Sequence, residues 1–367
     1  GILSIACASS ASIFEFTVYR TLAAFFMFLV PPTMQSCVAD MVPSENRGKV
    51  FGKLAFVASG GTLIGQFASV SLSEKTLLGS LKGWQLCLLV VGLISVAFPA
   101  MFMTYFIEPN RQKKIDTSLK MGGGAIDWVS LRLKTFWLLV VQGSFGTIPW
   151  KTMGMYAIMW LQMIGYSPFQ IAVFGGIGTV AGSLSKLLSG YIGDWAHSRI
   201  PYRGRVYVAQ FSVFSGACMC YILLKVVPKD GQRMLPLLLT DLAFRLCAGW
   251  SVAATNRPVV ADIAPPWSRA SLFSYFSAME NIPSSFAGFL VSYLAEAWFG
   301  FNNQKAKSNE DNAGNIEALT LALQVMTLIP WSCTFLFYGL MHFTYEADVK
   351  RTEARILKLN MNKSLDI

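Results

Sequence analysis

Charged residues are scarce in this chain. Of its 367 residues only 14% are Asp, Glu, Lys or Arg, whereas a soluble protein has about one quarter. Hydrophobic residues make up 54% instead, and the mean hydropathy is +0.48. Water does not tolerate this composition and a lipid bilayer requires it. The composition therefore predicts an integral membrane protein whose first partner is the bilayer.

Residues that carry chemistry in enzymes and metalloproteins are few as well. The two histidines, His197 and His342, stand in separate contexts and suggest no metal site. No nucleophile stands beside a base, and no nucleotide-binding or nucleic-acid-binding motif is present. The glycine-rich runs 60–65 and 175–182 lie inside apolar segments, which favours close helix packing over phosphate binding. We therefore expect no enzyme activity, no cofactor, no metal and no nucleic acid.

Apolar stretches of about 20 residues, the length that spans a bilayer, recur along the whole chain. Residues 1–11 look like the end of one helix, and a long polar segment at 108–134 separates two groups of spans. The predicted fold class is an all-α membrane protein. Nine complete spans are predicted, at 14–40, 50–72, 84–107, 136–163, 168–193, 206–227, 235–261, 270–299 and 317–344.

Lysine and arginine are unevenly distributed between the two sides that these spans define. With 108–134 on the cytoplasmic side, that side holds 18 of the 30 Lys and Arg residues, the opposite side holds 6 and the spans hold 6. Positively charged loops favour the cytoplasmic side of a membrane. The C-terminus is therefore expected in the cytoplasm, and the sequence does not indicate which membrane holds the protein.

One passage of the sequence occurs twice, 222 residues apart. Val30 to Phe51 and Val252 to Phe273 align without gaps, and 8 of the 22 positions are identical. In each copy an apolar run ends in Ala-Asp, turns at a proline, reaches an arginine and enters a second apolar run. A hydrophobic chain whose halves repeat in parallel is typical of a membrane transporter.

Further residues give the repeat a family resemblance. The segment Gly190-Tyr-Ile-Gly-Asp194, followed by Arg199, Arg203 and Arg205, resembles the signature loop of the major facilitator superfamily. That family has twelve helices in two six-helix bundles. Trp195 departs from its pattern, because a basic residue is usual there.

A narrower resemblance points to one branch of this family. Arg20-Thr-Leu, Gly83-Trp84 and Glu108-Pro109 resemble the Spinster-like branch. The passages QSCVAD…NRGKVFG and AATNRPVVADIAP…SRASLFSYFSAMENIPSSFAG are similar to plant Spinster-like proteins. The resemblance extends over essentially the whole chain.

The family's organisation implies four parts of the chain. These are an incomplete N-terminal bundle at 1–107 with family helices three to six, a cytoplasmic central loop at 108–134, a C-terminal bundle at 135–344 with helices seven to twelve, and a cytoplasmic tail at 345–367. The first-half copy of the signature loop would precede Gly1. We therefore expect the chain to lack about 70 residues of a full parallel-repeat transporter.

The resemblance also implies a cytoplasmic latch. In the family, the signature aspartate lies near a helix N-terminus and pairs with arginines, which closes the cytoplasmic side in the outward-facing state. A helix N-terminus stabilises an anion on physical grounds alone. The alternative is that these residues only anchor the topology and cap helices. The residues concerned are Asp194, Arg199, Arg205, Asp262 and Arg269 in the second half, and Asp40 and Arg47 in the first.

Charged residues inside the spans are costly unless they are paired or hydrated. Glu280 is expected near the midplane, where a protonatable carboxylate could couple proton movement to transport; alternatively, it is a carboxyl hydrogen-bonded to an adjacent helix. Arg245 and Asp241 share a helix face at i, i+4 spacing and can pair. In the family the helices that carry Arg20 and Arg245 line the cavity. The two arginines could therefore bind an anionic head group, or Arg20 could extend to the membrane surface.

Three more residues are candidates for substrate contact or gating. Lys151 follows Pro149-Trp150, which predicts a break in that helix and a lysine that faces either the cavity or its outer mouth. Asn256 and Arg257 precede a proline near the cytoplasmic end of a span and could gate. Lys186 and Lys225 lie near span ends, and are expected to extend towards the membrane surface.

These observations predict a secondary transporter that moves a small organic or amphipathic solute by alternating access, with proton coupling through Glu280 as one option. The resemblance favours lipid-like molecules or organic anions as substrates. Two alternatives remain at this stage. One is a non-transporting membrane sensor or scaffold derived from the fold, and the other is a uniporter without proton coupling.

Overall fold

The computed structural model describes residues 1–72, 76–77, 81–105, 127–229, 231–302 and 313–365. The described residues are almost entirely helical. The helices of the first part are α1 (Ile2–Ala8), α2 (Ile13–Met27), α3 (Val30–Met41), α4 (Arg47–Leu72) and α5 (Gly83–Tyr105). Two short strands, β1 (Thr76–Leu77) and β2 (Leu81–Lys82), pair antiparallel before α5.

The second part of the chain continues the same pattern of long helices. Its α-helices are α6 (Trp128–Leu131), α7 (Lys134–Ile164), α8 (Pro168–Arg199), α9 (Arg203–Tyr221), α10 (Met234–Ala248), α11 (Arg257–Ile263), α12 (Arg269–Ser284), α13 (Ala287–Tyr293) and α14 (Ala313–Leu365). Three π-helical turns extend or join them, at Ile222–Val226, Val252–Asn256 and Leu294–Trp298.

Each of the nine expected spans coincides with a helical segment among the described residues. Three of these segments contain more polar residues than the other six: α4, α7 and the segment from α12 to the last π turn. Most of the expected central segment 108–134 lies outside the described residues, as do residues 106–107. Within the described residues, six segments are long and apolar enough to cross a membrane: Ile13–Met41, Gly83–Thr104, Phe169–Arg199, Arg203–Val226, Met234–Ile263 and Ala313–Leu359.

Local sequence signals explain where several helices begin and end. Ser167 and Gln170 form a reciprocal capping box that starts α8. Gly165 ends α7 in the left-handed conformation with φ +104, which glycine adopts without a steric penalty. Pro258 widens the helix before it into the π turn Val252–Asn256, because its ring excludes the carbonyl one turn earlier.

Packing between helices joins the two parts of the chain. In the second part, α14 crosses α7 and α9, and its large side chains bury a core that includes Phe136, Trp160, Phe276 and Tyr338. Across the two parts, α4 packs along α8 and α3 packs against α12. The site described below lies along these two cross-part contacts.

Helix α14 continues beyond residue 344, where the sequence predicts the last span to end. Tyr345, Asp348, Val349 and Thr352 recur at helical spacing and are buried, with 5% exposure or less. Asp348 Oδ2 accepts a hydrogen bond from the Thr135 backbone N–H at 2.8 Å, and so caps the start of α7. The segment after 344 is therefore a helix docked on the bundle.

Candidate functional site: a latch and a central cavity

Two ion pairs connect the halves of the chain at one end of the molecule. Arg47, at the start of α4, pairs with Asp262 near the end of α11. Arg269 Nη1, at the start of α12, lies 2.6 Å from Asp40 Oδ1 near the end of α3. The repeat relates Arg47 to Arg269 and Asp40 to Asp262, so each arginine pairs with the aspartate of the other copy. We call this end of the molecule the latch end.

The neighbouring contacts repeat in the same way. Arg47 Nε donates to the Val42 carbonyl at 3.2 Å, and Arg269 Nε donates to the equivalent Ala264 carbonyl at 3.1 Å. The rings of Phe51 and Phe273, also related by the repeat, pack against each other with centroids 6.4 Å apart. The two repeated passages thus contact each other through equivalent residues, as two copies related by a local twofold axis do.

Asp194 adds a third contact between the halves. Its carboxylate accepts hydrogen bonds from the backbone N–H groups of Gly48 at 3.0 Å and Lys49 at 2.7 Å, which belong to the first turn of α4. Arg205 Nη2 donates to Asp194 Oδ1 at 2.9 Å and to the Ser44 carbonyl at 2.6 Å. An aspartate at a helix N-terminus satisfies unpaired N–H groups and complements the helix dipole.

Glycines allow this close approach of α4 and α8. A methyl group on Gly48 would lie 2.6 Å from Asp194 Oδ1, and one on Gly190 would overlap the Gly48 carbonyl. In contrast, a methyl group on Gly61, further along α4, would meet nothing within 4 Å. The glycine of the signature loop therefore has a defined packing role at the latch end.

The latch residues expected from the sequence are brought together with one exception. Arg199 is exposed and its guanidinium lies over the ring of Trp195 at 5.9 Å, outside the latch. The prediction that Arg199 belongs to the latch is wrong. Helix α8 continues to Arg199 and exposes its side chain, whereas Arg205 belongs to the first turn of α9 and is buried.

Two latch contacts were not predicted from the sequence. Ser44 Oγ donates to Asp262 Oδ1 at 2.7 Å, and the Tyr345 hydroxyl donates to Asp262 Oδ2 at 2.6 Å. Asp262 thus binds groups from the first half and from the end of the chain. The repeat could not indicate Tyr345, because that residue lies outside both copies.

A cavity of about 620 Å³ lies between the two halves, enclosed by α4, α7, α8 and the segment from α10 to its π turn. Its charged lining residues in the described part of the chain are Lys186 and Arg245. The other residues that line it are Ala55, Ala58, Ser59, Thr62, Trp150, Gly178, Thr179, Gly182, Gly249, Ser251, Val252 and Ala253.

Arg245 and Asp241 pair as their i, i+4 spacing predicts. Arg245 Nε lies 2.7 Å from Asp241 Oδ2, and Asp241 is buried. Gly178 on α8 lies directly against the guanidinium, and a methyl group there would overlap it. The Nη groups of Arg245 make no hydrogen bond within the described residues, so they remain able to bind a ligand.

Lys186 is a cavity residue that sequence reasoning missed. Its Nζ donates to Ser59 Oγ at 2.8 Å, which links α8 to α4 across the two halves. The prediction that Lys186 extends to the membrane surface is therefore wrong. Lys186 shares a helix face with Gly178 and Gly182 at i+4 spacing, and this stripe of small residues was the available signal.

An aromatic pocket of about 110 Å³ adjoins the cavity and shares Trp150 and Arg245 with it. Trp150 packs against Phe244 with ring centroids 5.4 Å apart and against Trp331 at 6.0 Å. Trp160 and Phe174 also line the pocket. Asp241 lines the pocket too, where it pairs with Arg245. The combined space therefore has a cationic part beside Lys186, the Arg245–Asp241 pair, and an apolar, aromatic part.

Two sequence candidates lie away from this space. Lys151 is exposed and lines neither pocket, whereas its neighbour Trp150 lines both. The predicted break at Pro149 is wrong, because α7 is continuous through this proline. Arg20 is exposed on α2 and makes no hydrogen bond within the described residues. The structure therefore does not join Arg20 to Arg245.

Glu280, Arg257 and Asn256 form a second polar centre. Glu280 is 7% exposed, and its Oε1 lies 3.2 Å from Arg257 Nη2. Arg257 also donates to Ser277 Oγ at 3.2 Å, and Asn256 Oδ1 accepts a hydrogen bond from the Tyr338 hydroxyl at 2.6 Å.

A helix contact and a π turn surround this polar centre. A methyl group on Gly143 would lie 3.0 Å from Glu280 Oε2, so the glycine makes room for the carboxylate beside α7. The π turn Val252–Asn256 connects the centre to the cavity, because Val252 and Ala253 line the cavity and Arg257 follows the turn.

Two repeat-related halves that close at one end over a central cavity define a membrane transporter of the alternating-access type. The chain matches the family model described as the Major Facilitator Superfamily over residues 1–239. The chain therefore belongs to this family of secondary transporters, as its sequence predicts, and the prediction of an all-α membrane fold is confirmed.

Solved structures share this fold. A bacterial homolog of the human lysosomal transporter Spinster, in an inward-facing and occupied conformation, aligns with a TM-score of 0.53 and 16% identity over 95% of this chain and 81% of that chain. The proton:xylose symporter XylE, bound to 6-bromo-6-deoxy-D-glucose, aligns with a TM-score of 0.62 and 13% identity over 90% and 78%. No curated protein matches the chain significantly by sequence.

Proposed function

We propose that this secondary transporter carries amphipathic organic anions. The observation that carries the proposal is the composition of the cavity: its charged lining residues in the described part of the chain are two cations, and it opens beside an aromatic pocket. A substrate with an anionic group and an apolar chain complements both parts.

Lys186 is the stronger of the two anion-binding candidates. Arg245 is already paired with Asp241, whereas the hydrogen bond of the Lys186 ammonium group within the described residues goes to the neutral hydroxyl of Ser59. An anion that enters the cavity gains a charge-assisted hydrogen bond with Lys186 and loses none to a competing carboxylate. A cationic substrate would instead be repelled, because electrostatic interactions strengthen in a partly dehydrated site.

Arg245 sits between the two spaces and can bind the same anionic group from the other side. Gly178, which contacts its guanidinium, precedes Lys186 on α8 by two turns, about 12 Å of helix. Both side chains are long enough to extend into the space between. The apolar part of the substrate then contacts Trp150 and Phe244 in the aromatic pocket.

Proton coupling through Glu280 is the second part of the proposal. Protonation removes the carboxylate charge that binds Arg257. A buried guanidinium without an ion-pair partner is costly, which favours a rearrangement that gives Arg257 another partner. The π turn Val252–Asn256 joins Arg257 to cavity-lining residues, and such turns are frequent at functional sites. The charge state of Glu280 would thereby act on the shape of the cavity.

The latch end faces the cytoplasm in this proposal, as the distribution of lysine and arginine predicts. The ion pairs at the latch end would close that side, and substrate would then enter the cavity from the opposite side. When the latch opens, the ion pairs separate and water hydrates their charged groups instead. The substrate would then leave on the cytoplasmic side or enter from it, depending on the gradients.

The substrate proposal is tested by equilibrium binding to the purified full chain. Dodecyl phosphate is the anionic probe, and dodecyltrimethylammonium and dodecanol are the matched cationic and neutral probes. We expect dodecyl phosphate to bind at least tenfold more tightly than the other two, and K186Q to remove most of that preference. K225Q is the control, since Lys225 is exposed beside Glu317 away from the cavity.

Two results would contradict the proposal. One is equal affinity of the wild-type chain for the three probes. The other is an unchanged preference for the phosphate in both K186Q and the paired variant D241N/R245Q, which removes Arg245 without leaving Asp241 buried and alone.

A further inference from the structure

A second concave surface lies on the outside of the bundle near the latch end. It is a groove of about 310 Å³ between the last turns of α8 and the first turns of α9. Trp195 and Phe211 form part of its walls and are 62% and 54% exposed. Tyr207 and Trp250 complete the aromatic lining. The central cavity and this groove share none of their lining residues.

The shape of the groove follows from the residues at the turn between the two helices. Gly204 lies against the backbone of Ala196, and a methyl group on Gly204 would overlap the Ala196 carbonyl. The helices therefore meet closely at the turn. Beyond it, larger side chains separate them, and Phe211 packs on Trp250 with ring centroids 5.5 Å apart. The groove is thus a gap between the two helices with aromatic walls.

One exposed arginine lines this groove, and a second lies one helix turn before the lining residue Tyr207. Arg199 lines it and stacks over Trp195 at 5.9 Å. Arg203 begins α9 on the same turn and is exposed. Neither lies within 4.0 Å of a carboxylate in the described part of the chain, although the charge of Arg203 interacts with Glu346 on α14. Arg205, by contrast, turns inward and binds Asp194. The arginines of the signature loop are therefore divided between the latch and the groove.

The order of side chains along α9 matches the polar-to-apolar gradient of a membrane surface. Phe211 follows Arg203 on α9 by roughly two turns, about 12 Å of helix. Tryptophan and tyrosine favour the zone between the lipid head groups and the acyl chains, and arginine favours the head groups. The sequence of side chains from Arg203 through Tyr207 to Phe211 passes through these zones in order.

We propose that this groove binds one anionic phospholipid from the leaflet at the latch end, with its phosphate between Arg199 and Arg203 and one acyl chain along Tyr207, Phe211 and Trp250. A soluble phosphate fits only the arginines, and a neutral acyl chain fits only the walls. An anionic phospholipid uses both. Basic sites beside transmembrane helices attract such head groups through the same electrostatics.

A lipid in this groove contacts both α8 and α9 next to the segment that carries Asp194 and Arg205. Binding to the native state alone raises its stability in proportion to site occupancy. We therefore expect anionic lipid to raise the Tm of the protein through the two groove arginines. This expectation does not depend on the identity of the transported substrate.

The experiment uses the full chain in nanodiscs of phosphatidylcholine with a minor fraction of brominated lipid, and records tryptophan quenching. Brominated phosphatidylglycerol is expected to quench at least twice as strongly as brominated phosphatidylcholine at the same fraction. R199Q/R203Q should abolish this difference and the rise in Tm with phosphatidylglycerol. W195F/W250F should reduce the quenching, because this variant lacks both tryptophans that line the groove.

The control is K53Q/R132Q, which removes the same charge from exposed positions at the latch end outside the groove. It should keep the preference for phosphatidylglycerol and the rise in Tm. Equal quenching by the two brominated lipids in the wild type overturns the proposal. So does a preference that survives R199Q/R203Q, or one that K53Q/R132Q removes equally, since general surface charge would then explain it.

Discussion

Arg47 and Asp262 form an ion pair that joins the two halves of the chain, and the sequence repeat maps this pair onto Arg269 and Asp40, which also pair. The side chains of all four residues are at most 11% exposed. Breaking one buried pair leaves the other charge without a partner, which costs about 3–5 kcal/mol. The latch is thus a symmetric contact that can stabilise one state of an alternating-access cycle.

The first prediction concerns this ion pair. R47D should open the latch end, because two carboxylates then face each other, and the closed population should fall at least about tenfold, or 1.4 kcal/mol. R47D/D262R should restore much of it, although Ser44 and Tyr345 lose their acceptor. Electron–electron resonance distances between spin labels at Lys53 and Ser198, in a background without the native cysteines, report the population.

A control for this prediction uses an exposed ion pair at the same end. K350E repels Glu346 but lies outside the latch, where such pairs contribute little, so the distance distribution should not change. If R47D/D262R is as open as R47D alone, the pairing of these two residues does not hold the halves together.

The second prediction tests the close contact of α4 and α8. G48A should open the latch end and weaken transport severalfold, because the added methyl group meets Asp194 and the Gly190 carbonyl, at 2.6 and 2.8 Å. G61A lies on the same helix with open space around it, and alanine favours a helix by up to about 1 kcal/mol. G61A should therefore be neutral or stabilising. Similar spin-label distances in the two variants would refute the packing argument.

The third prediction concerns proton coupling. E280Q keeps the shape of Glu280 and a hydrogen bond to Arg257 but cannot change charge. In proteoliposomes we expect it to lose accumulation driven by a pH gradient while it keeps exchange of labelled for unlabelled substrate. Gln142, buried on the neighbouring helix α7, supplies a control, since Q142E should not restore the coupling in E280Q. Proton-driven accumulation by E280Q at the wild-type level would eliminate Glu280 as the coupling group.

The fourth prediction is a pH dependence at the docked end of α14. Arg355 Nη1 lies 3.0 Å from both carboxylate oxygens of Asp127, and both residues lie outside the nine spans predicted from the sequence. Burial raises the pKa of Asp127, but the hydrogen bonds from Ser130 and Arg355 and the charge of Arg355 outweigh it, so the pKa lies below its usual value of 3.8.

Because the folded pKa of Asp127 is depressed, its contribution to stability is present above the ordinary pKa and is lost as the pH falls through the folded value. D127N should lower the Tm by about 2 °C near neutral pH, as expected for a hydrogen-bonded contact worth about 1 kcal/mol. The difference from the wild type should shrink below about pH 4. A difference in Tm that is constant from neutral pH to pH 3 would contradict this assignment.

Much of the fold follows from the sequence, because bilayer thickness sets the length of each span and the repeat sets the pairing of the halves. The same repeat identified Asp40, Arg47, Asp262 and Arg269. These residues lie at the first or last turns of their helices, which the proline and the apolar runs of each copy predict. Lys186 was misjudged because its position near a span end suggests the membrane surface. Only the packing of α4 on α8 shows that Ser59 lies within hydrogen-bond distance of Lys186.

Side-chain direction explains the remaining differences. Trp150 and Lys151 are adjacent, and a helix turns by about 100° between them, so one lines the cavity and the other is exposed. Arg199 and Arg205 are close in sequence, but a helix boundary lies between them. Tyr345 and Asp348 gained contacts only because α14 continues past the last span, which hydropathy alone does not predict.

Uptake into proteoliposomes tests the central claim, that the chain moves amphipathic anions through the cavity beneath the latch. The measurement is the uptake of radiolabelled dodecyl phosphate by vesicles that hold the wild-type chain, K186Q or no protein. The account predicts saturable uptake by the wild type and at least a tenfold loss in K186Q, with K225Q unchanged. Wild-type uptake no faster than that of protein-free vesicles, or equal uptake by K186Q, would contradict it.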